Sequence, residues 1–193
     1  GKTQPACILV WGHNPVHTNP DGEMGFRFLD ALKSGSKIIT IDPRLSETAA
    51  ISDLWLQIRP GTDAALALSM IKVIIDENLY DHHFVSSWTV GFEELRERVR
   101  NCTPQWAEPI TWIPAEKIVQ AARMFATTKP ACLEWGVALE QTPNCLQNLR
   151  ALTVLTALTG DIDIPGGNIF GMHALRHFPT GYDRLAPEVH DRR

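Results

Sequence analysis

The sequence predicts a three-layer α/β fold, a mostly parallel sheet with helices on both faces, and three observations carry that prediction. Short, β-branched apolar runs recur without alternating, which is the pattern of strands buried on both faces. Each run stops at turn residues, and a stretch with apolar side chains at three- and four-residue intervals follows. Strands alternating with helices imply right-handed crossovers, which cover both faces of a parallel sheet.

The first run, Ala6-Cys7-Ile8-Leu9-Val10-Trp11, stops at Gly12. Met24 to Leu32 then has helical spacing, with Gly35 placed to end the helix in a left-handed conformation. The second run, Lys37 to Ile41, stops at Asp42-Pro43, and the third, Leu54 to Ile58, at Arg59-Pro60-Gly61. After it Thr62 is a candidate cap for a helix lined by Leu66, Met70 and Ile74 that ends near Asn78. Further helices are predicted over Phe92 to Val99, over Pro114 to Ala126 with Pro114 as the first helical residue, and over Leu146 to Thr159. Ala131 to Gly136 is a fourth strand. A Rossmann-like nucleotide-binding domain over residues 1–160 is the expected unit, with a loop and tail, 161–193, leading into an adjoining domain.

Composition narrows the partners. The chain has 193 residues, with 18 Lys+Arg against 22 Asp+Glu and a formal charge of −4. Without a basic block it has no surface suited to displacing counterions from nucleic acid. No apolar run is long enough to span a bilayer. Cys7, Cys102, Cys132 and Cys145 form no C-x-x-C pair, so they are read as reduced, mostly buried residues and not as metal ligands. His82-His83 is read as a surface pair, because adjacent residues do not share a helix face. The six tryptophans are read as core. The start without Met and the end in Asp191-Arg192-Arg193 give the expectation of a segment of something longer.

In an open parallel sheet, ligands bind beyond the carboxyl ends of the strands, so three strand ends can be read as one site. At Trp11-Gly12-His13-Asn14-Pro15, Gly12 permits close backbone approach, and the Asn14 side chain or nearby amides can bond phosphate or sugar oxygens. A tight strand-to-loop turn reads the same residues equally well. At Asp42-Pro43-Arg44, the acid stands where dinucleotide folds bond a ribose hydroxyl, and Arg44 can pair with phosphate. The alternative is an Asp that accepts amide bonds in its own turn. At Arg59-Pro60-Gly61-Thr62-Asp63, a carboxylate at a helix start can accept two parallel hydrogen bonds from the N1–H and N2–H₂ edge of guanine, which adenine cannot supply. Acids in the first helical turn also commonly serve only to complement the helix dipole.

The ordered series W-G-x-N-P, I-D-P-R and R-P-G-T-D-A-A-L resembles the molybdopterin oxidoreductases, the dimethyl sulfoxide reductase family of molybdenum and tungsten enzymes. The resemblance continues through Trp112-Ile113-Pro114-Ala115-Glu116-Lys117-Ile118, Gly136 with Gln141, and Leu155 to Asp161 leading into Pro165-Gly166-Gly167-Asn168. It implies the central domain of that fold. It further implies that Gly12, Asn14, Asp42, Arg44, Gly61, Thr62 and Asp63 hold the guanosine diphosphate part of a bis-molybdopterin guanine dinucleotide carrying molybdenum or tungsten. Gly136 and Gln141 match positions near the pterin, Gly166, Gly167 and Asn168 lead toward the metal centre, and Arg176 matches a substrate-facing arginine of some relatives. The implied partners are the rest of the polypeptide, with an N-terminal iron–sulfur region holding [4Fe-4S], a C-terminal cofactor-capping domain, and an electron-transfer subunit. The metal-ligating residue would precede Trp11, so the expectation is a segment that is not catalytic alone. Compartment stays open between cytoplasm and periplasm of a prokaryote. Two other readings are a free-standing nucleotide-binding module and the central domain of a thiamine-diphosphate enzyme; the latter does not account for R-P-G-T-D followed by the later glycines.

Overall fold

Cys7–Trp11, the first apolar run, forms strand β1 and is buried at every position, with strands on both edges and a packed core on each face. The computed structural model describes residues 4–18 and 23–169. Lys37–Ile41 forms β2, Leu54–Leu56 β3 and Ala131–Trp135 β4. The sheet order is β3-β2-β1-β4, and every pairing is parallel, with Leu9 beside both Ile39 and Leu133.

Alternation along the strands builds two cores, since successive side chains point to opposite faces. Leu9, Trp11, Ile39 and Ile41 face three long helices: α3 (Asp63–Asp76) through Leu66, Met70 and Ile74, α7 (Ala115–Thr127) through Ile118 and Phe125, and α9 (Cys145–Thr159) through Leu152 and Leu155. Ile8, Val10 and Ile38 face the other way, against Phe28 and Ala31 of α1 (Glu23–Lys33). Each fully buried aliphatic side chain contributes roughly 1.5–3 kcal/mol, so the larger core carries most of the stability. The three expected layers are present.

Helix α1 ends as the sequence predicts. Gly35, at φ 94°, donates to Leu32 O and Ser36 to Ala31 O, the paired bonds of a Schellman closure that satisfy those two carbonyls. Short helices fill the connections: α2 (Glu47–Ala50), α4 (His82–Trp88), α5 (Phe92–Arg98), α6 (Pro104–Thr111) and α8 (Val137–Glu140). Of these only α5 is predicted from the sequence; all five span about two turns or fewer, so a period registers poorly in any of them. Side-chain caps start three of them: Ser46, Asp81 and Thr103 each accept a backbone N–H from the first turn.

Several expectations need correction. Thr62 occupies the N-cap of α3, but its hydroxyl donates to Arg59 O at 2.7 Å and caps nothing. Pro114 is extended and precedes α7, which starts at Ala115. The tryptophans are not uniformly core: Trp11 is fully buried, whereas Trp88 is 75% and Trp112 67% exposed. Trp112 lies under the Arg59 guanidinium, 5.2 Å from the ring centroid. The four cysteines are free, with Cys7 and Cys102 buried. Among the described residues, no helix is long and apolar enough to cross a membrane.

Candidate functional site

β1 lies between β2 and β4, and the chain crosses to opposite sides of β1 to reach them, so strand order reverses there. At this switch point a crevice of about 700 Å³ opens beyond the carboxyl ends of the strands. Gly12, Asn14, Asp42, Arg44 and Gly136 line it together, although they come from three separate turns. That convergence joins five of the residues predicted from sequence.

Gly136 is what lets two of those turns meet. Its N–H donates to Trp11 O at 3.0 Å, and a Cβ placed on it would stand 2.3 Å from Gly12 O and 2.9 Å from His13 Cβ. Asn14 is nearly buried, and its side chain braces the floor. It donates to Glu47 at 2.7 Å and accepts from Thr48 N–H and Thr48 Oγ1, locking α2 against the end of β1. The Asn14 bond holds the Glu47 carboxyl below the usual range, with its own backbone N–H assisting. Asn14 therefore shapes the crevice through α2 and through its carbonyl, which accepts from His17 and Thr18.

Asp42 closes its own turn, accepting the Arg44 N–H at 2.9 Å, while Trp55 Nε1 donates to the Asp42 carbonyl at 2.9 Å. This is the turn role considered for it, and it leaves the exposed Arg44 side chain standing over the crevice. Gly61, Thr62 and Asp63 do not line the crevice, yet Asp63 is tied to it. The Trp11 indole N–H donates to Asp63 Oδ1 at 2.8 Å, and both residues are buried. Trp11 is the residue before Gly12, so the first turn of α3 is pinned to the crevice wall. Gly61, at φ 82° with open space around it, supplies the left-handed bend before α3.

The later glycines lie elsewhere. A Cβ on Gly166 would meet Pro130 and Gln4, and one on Gly167 would meet Asp161 O, all near the amino-terminal ends of β1 and β4 and so opposite the crevice. Asn168 acts as a surrogate strand: its side chain accepts from Leu133 N–H and donates to Leu133 O, each at 2.8 Å, along the free edge of β4. The same loop is anchored by buried Asp161, which bonds Lys129 and the Ala131 N–H. Gln141 ends α8, exposed and outside the crevice. Arg176 lies outside the described residues. Among those described, no three His, Cys, Asp or Glu side chains gather into a metal-binding group.

One pair was not singled out from sequence. His13 Nδ1 stands 2.5 Å from Glu134 Oε1, both side chains about one-fifth exposed, bridging the turn after β1 to the end of β4. His13 is the unspecified position of W-G-x-N-P, and Glu134 is an acid within an apolar strand. That oddity was the available signal.

A family model described as "Molybdopterin oxidoreductase" matches residues 3–186. Acetylene hydratase of Syntrophotalea acetylenica is 46% identical over 165 residues, 86% of this chain and 22% of that one. Formate dehydrogenase H of Escherichia coli (strain K12) is 41% identical over 162 residues, 84% of this chain and 22% of that one. A solved structure, "Acetylene Hydratase from Pelobacter acetylenicus", superposes with a TM-score of 0.77 at 43% identity, covering 81% of this chain and 22% of that one. The chain thus spans about a fifth of the length of these relatives.

Proposed function

The chain belongs to the molybdopterin oxidoreductase family, and from that premise we propose that it holds the guanosine diphosphate arm of a molybdopterin guanine dinucleotide at the carboxyl ends of its strands. The observation that carries this reading is the Trp11–Asp63 bond, which fixes a buried carboxylate beside a crevice at the switch point of a parallel sheet. The residues suit such a group. Asp63 supplies a preoriented acceptor for the N1–H and N2–H₂ edge of guanine, Arg44 a planar cation for the diphosphate, and the turn after Gly12 backbone amides at close range. Gly136 lets the turn after β4 close against the Gly12 carbonyl.

Within a longer polypeptide, the bound cofactor would supply two-electron oxygen-atom or hydride chemistry at molybdenum or tungsten. This segment's own part is to bind and orient: it grips the nucleotide end and so sets where the reactive end lies. Iron–sulfur and capping regions elsewhere in that polypeptide, together with an electron-transfer subunit, complete the proposal. The relatives named for acetylene hydratase and formate dehydrogenase differ in reaction while matching the same segment, which supports assigning it to cofactor binding and substrate choice to other regions. The thiamine-diphosphate and free-standing readings draw no support from the comparisons.

Calorimetric titration of the folded chain tests the proposal. GDP should bind in preference to ADP; equal affinities for the two, or binding of neither, would overturn the role given to Asp63 and the crevice.

A further inference from the structure

The crevice has an electrostatic problem, and its solution identifies another ligand-binding residue. Three carboxylates line the cavity, Asp42, Glu134 and Glu140, against two basic side chains, Arg44 and His13. An acidic wall repels phosphate unless cations offset its charge. Asp42 accepts the Arg44 N–H and Glu140 accepts the Trp135 indole N–H at 3.1 Å, both neutral donors. Glu134 alone is matched with an ionisable base, His13, at 2.5 Å. Behind this wall, Glu47 is tied to Asn14 and lies 3.5 Å from His17.

The geometry also aims the ring. His13 follows Gly12, whose carbonyl lies against Gly136, and Glu134 stands in register with Val10 at the adjoining strand end. A carboxylate only accepts, so the Nδ1–H must donate to Glu134 Oε1, which fixes the imidazole plane and leaves Nε2 as the nitrogen available to a ligand. Nothing in the core requires this arrangement: the strands are already paired by backbone bonds, and an apolar pair would pack there at less desolvation cost. We propose that His13, oriented by Glu134, is an anion-binding residue of this crevice that in its imidazolium form donates Nε2–H to a phosphate oxygen, alongside Arg44. Glu134 is a positioning residue. This inference rests on the proposed nucleotide reading and adds to it a specific phosphate contact.

The test titrates the folded chain with inorganic pyrophosphate, GDP and guanosine, for the wild type and for His13→Gln and Glu134→Gln, with circular dichroism and thermal melting as checks on folding. Each substitution should weaken pyrophosphate and GDP by roughly tenfold or more, the scale of one charge-assisted hydrogen bond, and leave guanosine unchanged. A merely structural pair would weaken guanosine equally. Should Glu134→Gln instead bind pyrophosphate more tightly, the carboxylate opposes the anion and the inference fails. If GDP binds and all three affinities match the wild type in both variants, the dyad inference alone is overturned; if the wild type binds neither GDP nor pyrophosphate, the nucleotide reading falls with it.

Discussion

The Trp11 indole N–H donates to Asp63 Oδ1 at 2.8 Å across 52 residues of sequence, joining the last residue of the central strand to the first turn of α3. Both partners are buried, so the bond is protected from competing water. It ties a strand end to a helix start. Replacing Trp11 by Phe should leave the Asp63 carboxylate without its donor and open space in the larger core. Urea unfolding should register a loss of about 2–4 kcal/mol.

Substituting Asp63 by Asn separates orientation from recognition. The carboxamide oxygen can still accept from Trp11, so the melting temperature should move little. A carboxamide cannot accept both guanine donors, however, so the preference for GDP over ADP should fall by about tenfold. Calorimetry with both nucleotides measures it, and an unchanged ratio sets Asp63 outside the nucleotide contact.

Gly136, just after β4, and Gly61, just before α3, should respond differently to alanine. Gly136→Ala forces a methyl against Gly12 O, so the backbone must shift, with an expected cost of about 1–3 kcal/mol and loss of GDP binding. Gly61→Ala meets open space but must hold a left-handed φ of 82°, costing about 1–2 kcal/mol. Gly61→Asn should recover much of that, since Asn tolerates the left-handed region; thermal melts of the three variants give the comparison.

Asn14→Ala should loosen α2. Its side chain is the shared partner of Glu47 and Thr48, and deleting it orphans groups in a nearly buried position. Hydrogen exchange of the Thr48 and Ala49 amides should accelerate while β1 stays protected, with a global loss of about 1–3 kcal/mol.

Asp53 links stability to acid. Partial burial pushes its carboxyl up, but Lys37 Nζ at 2.7 Å and the Ile38 N–H outweigh burial and hold it below its ordinary 3.8. The depressed value means that its stabilisation is complete above the unfolded pKa and is lost as pH falls through the folded one. Lys37, held above its ordinary 10.5 by the same partner, gives the mirror case and loses its share as pH rises past that value. Asp53→Asn should therefore flatten the fall in melting temperature below about pH 4.

Burial pushes the Cys7 and Cys132 thiols up to about 12, with neighbouring thiol and carboxyl groups adding to it. Thiolate is the reactive form, so both should resist a disulfide reagent at pH 8 in the folded chain and react only on unfolding. Mass spectrometry after timed labelling should find half-buried Cys145 modified first.

The sequence by itself determined the class of fold and the order of its parts. Strands announce themselves through unbroken apolar runs and long helices through a repeating period, and β2 over Lys37 to Ile41 matches residue for residue. The motif series also carried the family, and the family model that matches residues 3–186 agrees with it. Two-turn helices such as α4 and α6 escaped for want of a period.

Only the tertiary structure decided what each side chain does. Asn14 and Asn168 look alike in sequence as candidate ligand groups, yet one braces α2 beside the crevice and the other stitches a loop to the far edge of β4. Likewise Trp11 and Trp112 are both read as core from sequence, but one is sealed between sheet and helix while the other lies exposed beneath Arg59. His13 and Glu134, 121 residues apart, meet because parallel pairing brings the ends of β1 and β4 side by side. Hydrogen bonds and burial are properties of neighbours, and in a parallel sheet the neighbours of a strand end come from distant parts of the chain.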